Sequence, residues 1–349
     1  MNKEKTKISA QVVADSLSPQ GDRLTSLLIT FPRIILSELL THRMLSKNTS
    51  SSRAIPFNKM VEAVQNNPFI PIAWQKEHKG MQGTEYLIRL QSIQNDASWL
   101  RARDFAVEQA QELNGLEVTK QLCNRLLEPF MWTTMLITGS KEGWNNFFSL
   151  RCPKYVFHNL DGDNKEYHFK SKKDVISKFG ESEWVEDGFD KPLKDFTSLD
   201  WLKVNYGQAE IHIMDLAEKI YDAVNESFHT QILPTMWHVP FRKKINELYP
   251  EVENDSEDIV KISVSMAARA SYTVVGTEKI LTKEEHISLH DRLLTQNPPH
   301  SSPMEHCCLC VSEEEYNNSF KGVEKGWFRN YKGFKSYRHI IETKKYGDI

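Results

Sequence analysis

The stretch Thr41-His42-Arg43-Met44-Leu45-Ser46-Lys47-Asn48-Thr49-Ser50-Ser51-Ser52-Arg53 is the densest polar constellation in the chain, holding an imidazole, two guanidiniums, an amide and a run of hydroxyls. Arg forks bind phosphate and carboxylate oxygens bidentately, and hydroxyls add neutral hydrogen bonds, so the run suits an anionic ligand. The competing reading is a solvated Ser-rich loop, because Ser and Asn also satisfy turns. Upstream, from Pro32, the pattern is helical, with Ile34, Ile35, Glu38, Leu39 and His42 at spacings of three and four, which puts the His-Arg pair at a helix end. Residues 44 to 56, closed by Pro56, have little apolar content and read as a loop.

Working outward, residues 8 to 31 look like two strands joined at Ser18-Pro19-Gln20-Gly21-Asp22, a hairpin punctuated by Pro and Gly. Residues 57 to 67 and 84 to 113 are helical, the second beginning after Gly83 and stopping near Asn114-Gly115. A helix over Glu117 to Leu127 is interrupted by Pro129, and Glu142 to Leu150 presents Trp144, Phe147, Phe148 and Leu150 to a core. Residues 152 to 205 are dense in Asp, Lys and Gly with weak periodicity, which predicts a surface insertion. Helical pattern returns at Gln208 to Phe228, with Ile211, Ile213, Leu216, Ile220 and Val224 facing inward. After an acidic break at Glu251 to Asp258 come a strand-like Ile259 to Ser265, a helix from Lys283 to Thr295 capped by Thr282, and a strand around Cys307. The segment from Lys325 to Ile340 is aromatic and basic together.

The 349 residues are 40% hydrophobic and 26% charged with a formal net charge of -3, an ordinary globular balance. Lys and Arg are spread along the chain, with no basic block of the kind that grips a phosphate backbone, so a small anionic ligand is expected rather than a polynucleotide. No stretch has the length of apolar residues that a membrane helix needs, and Met1-Asn2-Lys3-Glu4-Lys5 leads into no apolar signal segment; a cytoplasmic protein is the expectation. The five cysteines fit a reducing compartment. Cys307, Cys308 and Cys310 stand too close together for paired zinc knuckles and read instead as small apolar side chains in a buried strand, so no metal site is expected.

Set beside its neighbours, the polar stretch resembles the signature of the flavin-dependent thymidylate synthases: Arg-His-Arg, seven residues, Ser, then Arg two positions on. Thr41, His42, Arg43, Ser51 and Arg53 match all but the first Arg. Arg125 to Pro129, then Asn146-Phe147-Phe148-Ser149-Leu150-Arg151, resembles the family's helix with a flavin-contacting Asn and a nucleotide-binding Arg, and the match resumes at Gln208-Ala209-Glu210-Ile211. Ser265-Met266-Ala267-Ala268-Arg269-Ala270-Ser271-Tyr272 and His300-Ser301-Ser302-Pro303-Met304-Glu305-His306 resemble two flavin motifs that precede the signature in the family yet follow it here. A rotated motif order implies a circularly permuted domain, which is sterically easy when termini lie close together on a surface.

The resemblance implies an α+β fold, a mixed or antiparallel sheet flanked by long helices, with 1 to 151 and 206 to 349 forming one domain and 152 to 205 inserted. It implies FAD held by His42, Arg43, Asn146, Ser271, Ser302 and Glu305, and a deoxypyrimidine monophosphate held by Glu38, Ser51, Arg53, Arg125 and Arg151. Arg151 and Ser51 are the candidate catalytic groups, Arg151 stabilising charge on the pyrimidine ring and Ser51 belonging to the anion clamp. Methylenetetrahydrofolate and NADPH are the implied co-substrates, and a homotetramer the implied assembly. Each role has a plainer rival: Ser302 and Glu305 as turn caps, Asn146 as an exposed helical amide, Arg125 and Arg151 as surface ion-pair partners. Four positions depart from the family pattern: Thr41 for Arg, Glu38 for a nucleotide-contacting Gln, Thr49 for Glu, and Ala54 for an aromatic residue. They leave open a cytosine nucleotide, a hydroxymethyl product, or a flavin- or nucleotide-binding module without catalysis. Arg329 and Arg338 are candidates to replace the missing Arg.

Overall fold

The computed structural model describes residues 6–79, 83, 85–87, 89–158, 165–180, 191–252, 256–270, 280–296 and 300–347. The hairpin forms as expected: β1 (Ser9–Leu17) and β2 (Arg23–Pro32) pair antiparallel around a turn in which Gly21 adopts φ +85°, a conformation cheap for glycine alone. Beside them run β3 (Ser46–Thr49) and β4 (Trp132–Ser140), and β7 (Thr230–Gln231) closes the other edge; β5 (Tyr155–His158) and β6 (Glu166–Phe169) form a separate hairpin. The main sheet has the order β3-β4-β2-β1-β7, with β7 parallel to β1 and every other pair antiparallel. The fold is therefore α+β around a mixed sheet.

One sequence expectation changes here, and one strand appears that no pattern announced. Residues 44 to 56 are not a plain loop: Ser46 to Thr49 pair with Met135 to Thr138, making the polar signature an edge strand of the main sheet. β4 itself has no alternation to betray it, because it is buried along both faces from Thr133 to Ser140.

The helices are α1 (Leu36–Leu40), α2 (Phe57–Asn66), α3 (Arg89–Gly115), α4 (Lys120–Cys123), α5 (Lys141–Arg151), α6 (Lys172–Phe179), α7 (Ser198–Lys203), α8 (Ile211–Glu226), α9 (Arg242–Leu248), α10 (Ser256–Arg269), α11 (Lys283–Thr295), α12 (Glu313–Asn318) and α13 (Tyr337–Tyr346). α5 and α8 cover one sheet face, packing Trp144, Phe147, Leu216 and Ile220 against Leu27, Ile29, Met135 and Ile137. The inward face of α8 is the one its periodicity gives, with Ile211, Ile213, Leu216, Ile220 and Val224 all buried. On α5, Leu150 is 58% exposed instead of inward, since it lies off the stripe shared by Trp144, Phe147 and Phe148. α10 covers the opposite sheet face through Ala267 and Ala270 against Leu136. This segment was expected as a strand from its β-branched run; burial of Ile259, Val260, Ile262 and Val264 against α9 and α11 overrides that propensity.

α3 begins at Arg89, later than Gly83 suggests, and packs with α2 in a second core. The helix expected over 117 to 127 is a four-residue α4 followed by a 3-10 turn, Asn124–Phe130, that accommodates Pro129. Residues between 155 and 204 gather a small core of their own around Tyr155, Phe157, Val175, Leu193 and Trp201. The capping box at Thr282 and Glu285 starts α11 where the sequence places it. β9 (Cys308–Cys310) lies between β8 (Trp237–His238) and the strand Phe334–Ser336, and the five cysteines are all buried thiols.

Candidate functional site

α1 is stopped by Thr41, whose amide and hydroxyl both donate to the Glu38 carbonyl, at 3.2 and 2.7 Å. Thr41 thus closes a helix end where the family pattern has a guanidinium. The chain then turns inward at His42, which is 6% exposed and packs edge-on against Phe147, ring centroids 4.9 Å apart. Phe147 and Arg151 are one helical turn apart on α5, so Arg151 reaches over the same imidazole. Its Nε donates to His42 Nε2 at 2.9 Å. Burial, then the adjacent Arg151 and Lys47 charges, push the His42 pKa down to about 4. The ring is neutral at pH 7, and its acceptor Nε2 puts the proton on Nδ1.

Lys47 links this pair to the motifs from the far end of the chain. Its ammonium donates to the carbonyls of His42 and of Leu45, the latter at 2.8 Å. Burial pushes its pKa down to about 8 while Glu305 pulls it up. One residue on, Asn48 Nδ2 donates to the Ala267 carbonyl at 2.7 Å, and Ser302 Oγ donates to Asn48 Oδ1 at 3.2 Å and to the Lys47 carbonyl at 3.3 Å. The segment carrying Asn48 and the segments carrying Ala267 and Ser302, more than two hundred residues further along the chain, thereby meet at one edge of the sheet. Glu305, three positions after Ser302, forms an ion pair with Arg338 of α13. Lys47 and this ion pair escape motif reading: Lys47 fills a variable position of the signature, and the C-terminal segment matches no motif.

Ser51 and Arg53 sit side by side, Arg53 Nε donating to Ser51 Oγ at 3.4 Å from an exposed position. The loop that carries them is anchored from below. Asn124 Nδ2 donates to the carbonyls of Ser52 and Ile55 at 2.7 and 3.0 Å, and Ser52 Oγ donates to Glu128 at 2.5 Å. Glu128 also pairs with Arg33 at 3.3 Å and with the 55% exposed Arg125 at 3.9 Å. Ser51, Arg53 and Arg125 therefore border one polar loop, whereas Arg151 joins the His42 group. Arg43 and Asn146 are exposed, and Glu38 accepts from its neighbour Ser37 at 2.9 Å. Ser271 lies outside the described residues. A cleft of about 780 Å³ opens between α10 and α11 close by, with Arg269, Ser288, Arg292, Gln296 and His300 on its walls. That volume is ample for a cofactor-sized ligand.

Behind the site, a fully buried chain of hydroxyls and imidazoles crosses from the sheet to the C-terminal motif. Ser16 Oγ bonds His238 Nδ1 at 2.9 Å, Ser26 Oγ bonds His238 Nε2 at 2.8 Å and Thr138 Oγ1 at 2.6 Å, and Thr138 Oγ1 bonds His306 Nδ1 at 2.8 Å. Burial drives the His238 pKa down to about 4 and that of His306 to about 3. Both rings are neutral, and they fix the base of the Ser302–Glu305 turn to β2 and β4.

Among the described residues no helix is long and apolar enough to cross a membrane, and no cluster of His, Cys, Asp and Glu has a metal-binding arrangement. No family model matches the sequence, and no curated protein matches it. Among solved structures the chain is similar to the UMP/dUMP methylase PolB from Streptomyces cacaoi bound with 5-Br dUMP, at 14% identity and a TM-score of 0.40 over 64% of this chain and 92% of that one. It is likewise similar to the same methylase bound with 5-Br UMP, at 16% identity and a TM-score of 0.41 over 64% of this chain and 90% of the other.

Proposed function

We propose that the protein is a flavin-dependent enzyme that transfers a one-carbon unit from methylenetetrahydrofolate to C5 of a deoxypyrimidine monophosphate, converting dUMP to dTMP. The observation that carries this reading is the meeting of Asn48, Ala267 and Ser302, because motifs scattered in a rotated order along the chain are worth little unless they converge in space. The donor set suits FAD. Arg43, Arg269 and Arg292 offer guanidiniums to a pyrophosphate, and Ser302, Asn48 and Glu305 offer acceptors and a hydroxyl to ribityl or ribose groups. Bound flavin would carry the methylene group and supply the hydride that completes the methyl, with NADPH restoring it.

The chain's own residues do the rest. Ser51, Arg53 and Arg125 hold the nucleotide phosphate. Arg151, oriented by neutral His42, faces the pyrimidine with its remaining N–H groups and stabilises negative charge on the ring as C5 forms its new bond and gives up its proton. No cysteine nucleophile is called for, in keeping with five buried thiols, of which burial pushes Cys307 up to about 12 and Cys310 up to about 11. A homotetramer with shared sites belongs to the same reading.

A second substrate has one observation in its favour. Glu38 presents a carboxylate, which only accepts, where a Gln would both donate and accept; an acceptor suits the amino group of cytosine better than the O4 of uracil. The experiment is an anaerobic single turnover of FAD-reconstituted protein with methylenetetrahydrofolate and either dUMP or dCMP, products identified by mass. Methylated dUMP supports the reading stated, and modified dCMP, methyl or hydroxymethyl, moves the substrate to cytosine. Bound flavin with neither product reduces the protein to a binding module, and no flavin uptake removes the reading altogether.

A further inference from the structure

We propose that Arg338, on the C-terminal helix α13 and outside the family-like motifs, is the positioning residue that sets the Glu305 carboxylate for its ligand. This rests on the flavin reading of Glu305. The Ser302–Glu305 turn is gripped from two sides. On one side β3 receives the Ser302 hydroxyl at the Lys47 carbonyl and the Asn48 amide. On the other, the segment from Tyr331 to Arg338 takes hold of Glu305 twice. Tyr331 Oη donates to its carbonyl at 3.0 Å, and Arg338 Nη1 donates to carboxylate oxygen Oε1. The Tyr337 amide adds a bond to the Cys307 carbonyl at 2.8 Å.

Arg338 is itself held. Its Nε donates to Glu342 at 2.7 Å, and Glu342 accepts Arg329 at 2.5 Å through its other oxygen. The run Arg329, Glu342, Arg338, Glu305 alternates in charge, each carboxylate paired with a guanidinium. One guanidinium nitrogen occupies Oε1, which leaves Oε2 as the oxygen that would accept a ribose or polyol hydroxyl. The Glu305 charge also acts on Lys47 of β3, drawing its pKa up against the effect of burial.

A helix strap that merely ties α13 to the body would share some of these contacts, and the test separates the two. Binding of FAD to the full chain is titrated by quenching of flavin fluorescence for wild type, R338Q, R338K, E342Q, E305Q and the E305Q/R338Q pair, with melting temperatures alongside. Positioning predicts about tenfold or greater loss of FAD affinity in R338Q, partial recovery in R338K, and a double variant no weaker than E305Q alone. E342Q, which loosens the strap but leaves the Arg338 to Glu305 contact, should change affinity by less than about twofold. Equal flavin affinity in R338Q and wild type overturns the proposal, as does equal loss in R338Q and E342Q. Wild-type protein that takes up no FAD overturns the flavin reading and this inference with it.

Discussion

Arg151 Nε donates to His42 Nε2 at 2.9 Å across a sequence separation of 109 residues, so the guanidinium assigned to the pyrimidine is aimed by an imidazole from the turn between α1 and β3. That bond exists only while His42 is neutral. His42, His238 and His286 have pKa values pushed down to about 4, and His306 to about 3, in each case chiefly by burial. A folded-state pKa below the unfolded value means that the contribution to stability is complete above the ordinary histidine pKa of about 6.5 and is lost as pH falls through about 4. Melting temperature should therefore decline steadily between those limits. His42→Gln, whose amide oxygen also accepts from Arg151, should decline less; identical slopes would show that His42 does not titrate with the fold.

Arg53 is exposed and makes one long bond, to Ser51, so its loss disturbs little of the fold. Arg53→Ala should lower nucleotide affinity about ten- to a hundredfold, the worth of a charge-assisted contact, while the flavin spectrum and the melting temperature stay put. Isothermal titration with dUMP reads the first and absorbance the second. Unchanged nucleotide affinity would remove Arg53 from the phosphate clamp.

The hairpin, the inward face of α8 and the Thr282 cap were legible because each rests on local rules: turn chemistry, a 3.6-residue period and a capping box. β4 and α10 were not. β4 is buried on both faces and so carries no period of two, and α10 spends β-branched residues on a helix because α9 and α11 need that bulk against them. At the candidate site, motif spacing singled out His42, Ser302 and Arg151 as candidates, but the contacts of Lys47 and the Arg338 to Glu305 pair exist only through tertiary structure, which no spacing encodes.

In the proposed site, Glu38 is the residue through which base preference can be tested. It stands on α1, four positions before His42, with its carboxylate partly exposed and bonded to Ser37. Glu38→Gln restores a group that both donates and accepts, so the ratio of kcat/KM for dUMP over dCMP should rise by about tenfold or more. A ratio unmoved by the substitution would mean that the base lies elsewhere.

Gly139 on β4 has no room for a side chain. A Cβ there would stand 2.4 Å from Leu45 Cδ2 and 3.2 Å from Trp144 Nε1, and Leu45 lies within the signature between Arg43 and Lys47. Gly139→Ala must push Leu45 outward and with it the carbonyl that receives the Lys47 ammonium. Destabilisation of about 1 to 3 kcal/mol is expected from the overpacking, measured by urea unfolding, together with weaker flavin uptake as the strand shifts. Because the clash is with the tip of a flexible side chain, Leu45→Ala in the same molecule should return most of the lost stability. If the pair proves no more stable than Gly139→Ala alone, the strain resides in the β4 backbone and the contact between Gly139 and Leu45 does not set the position of the signature.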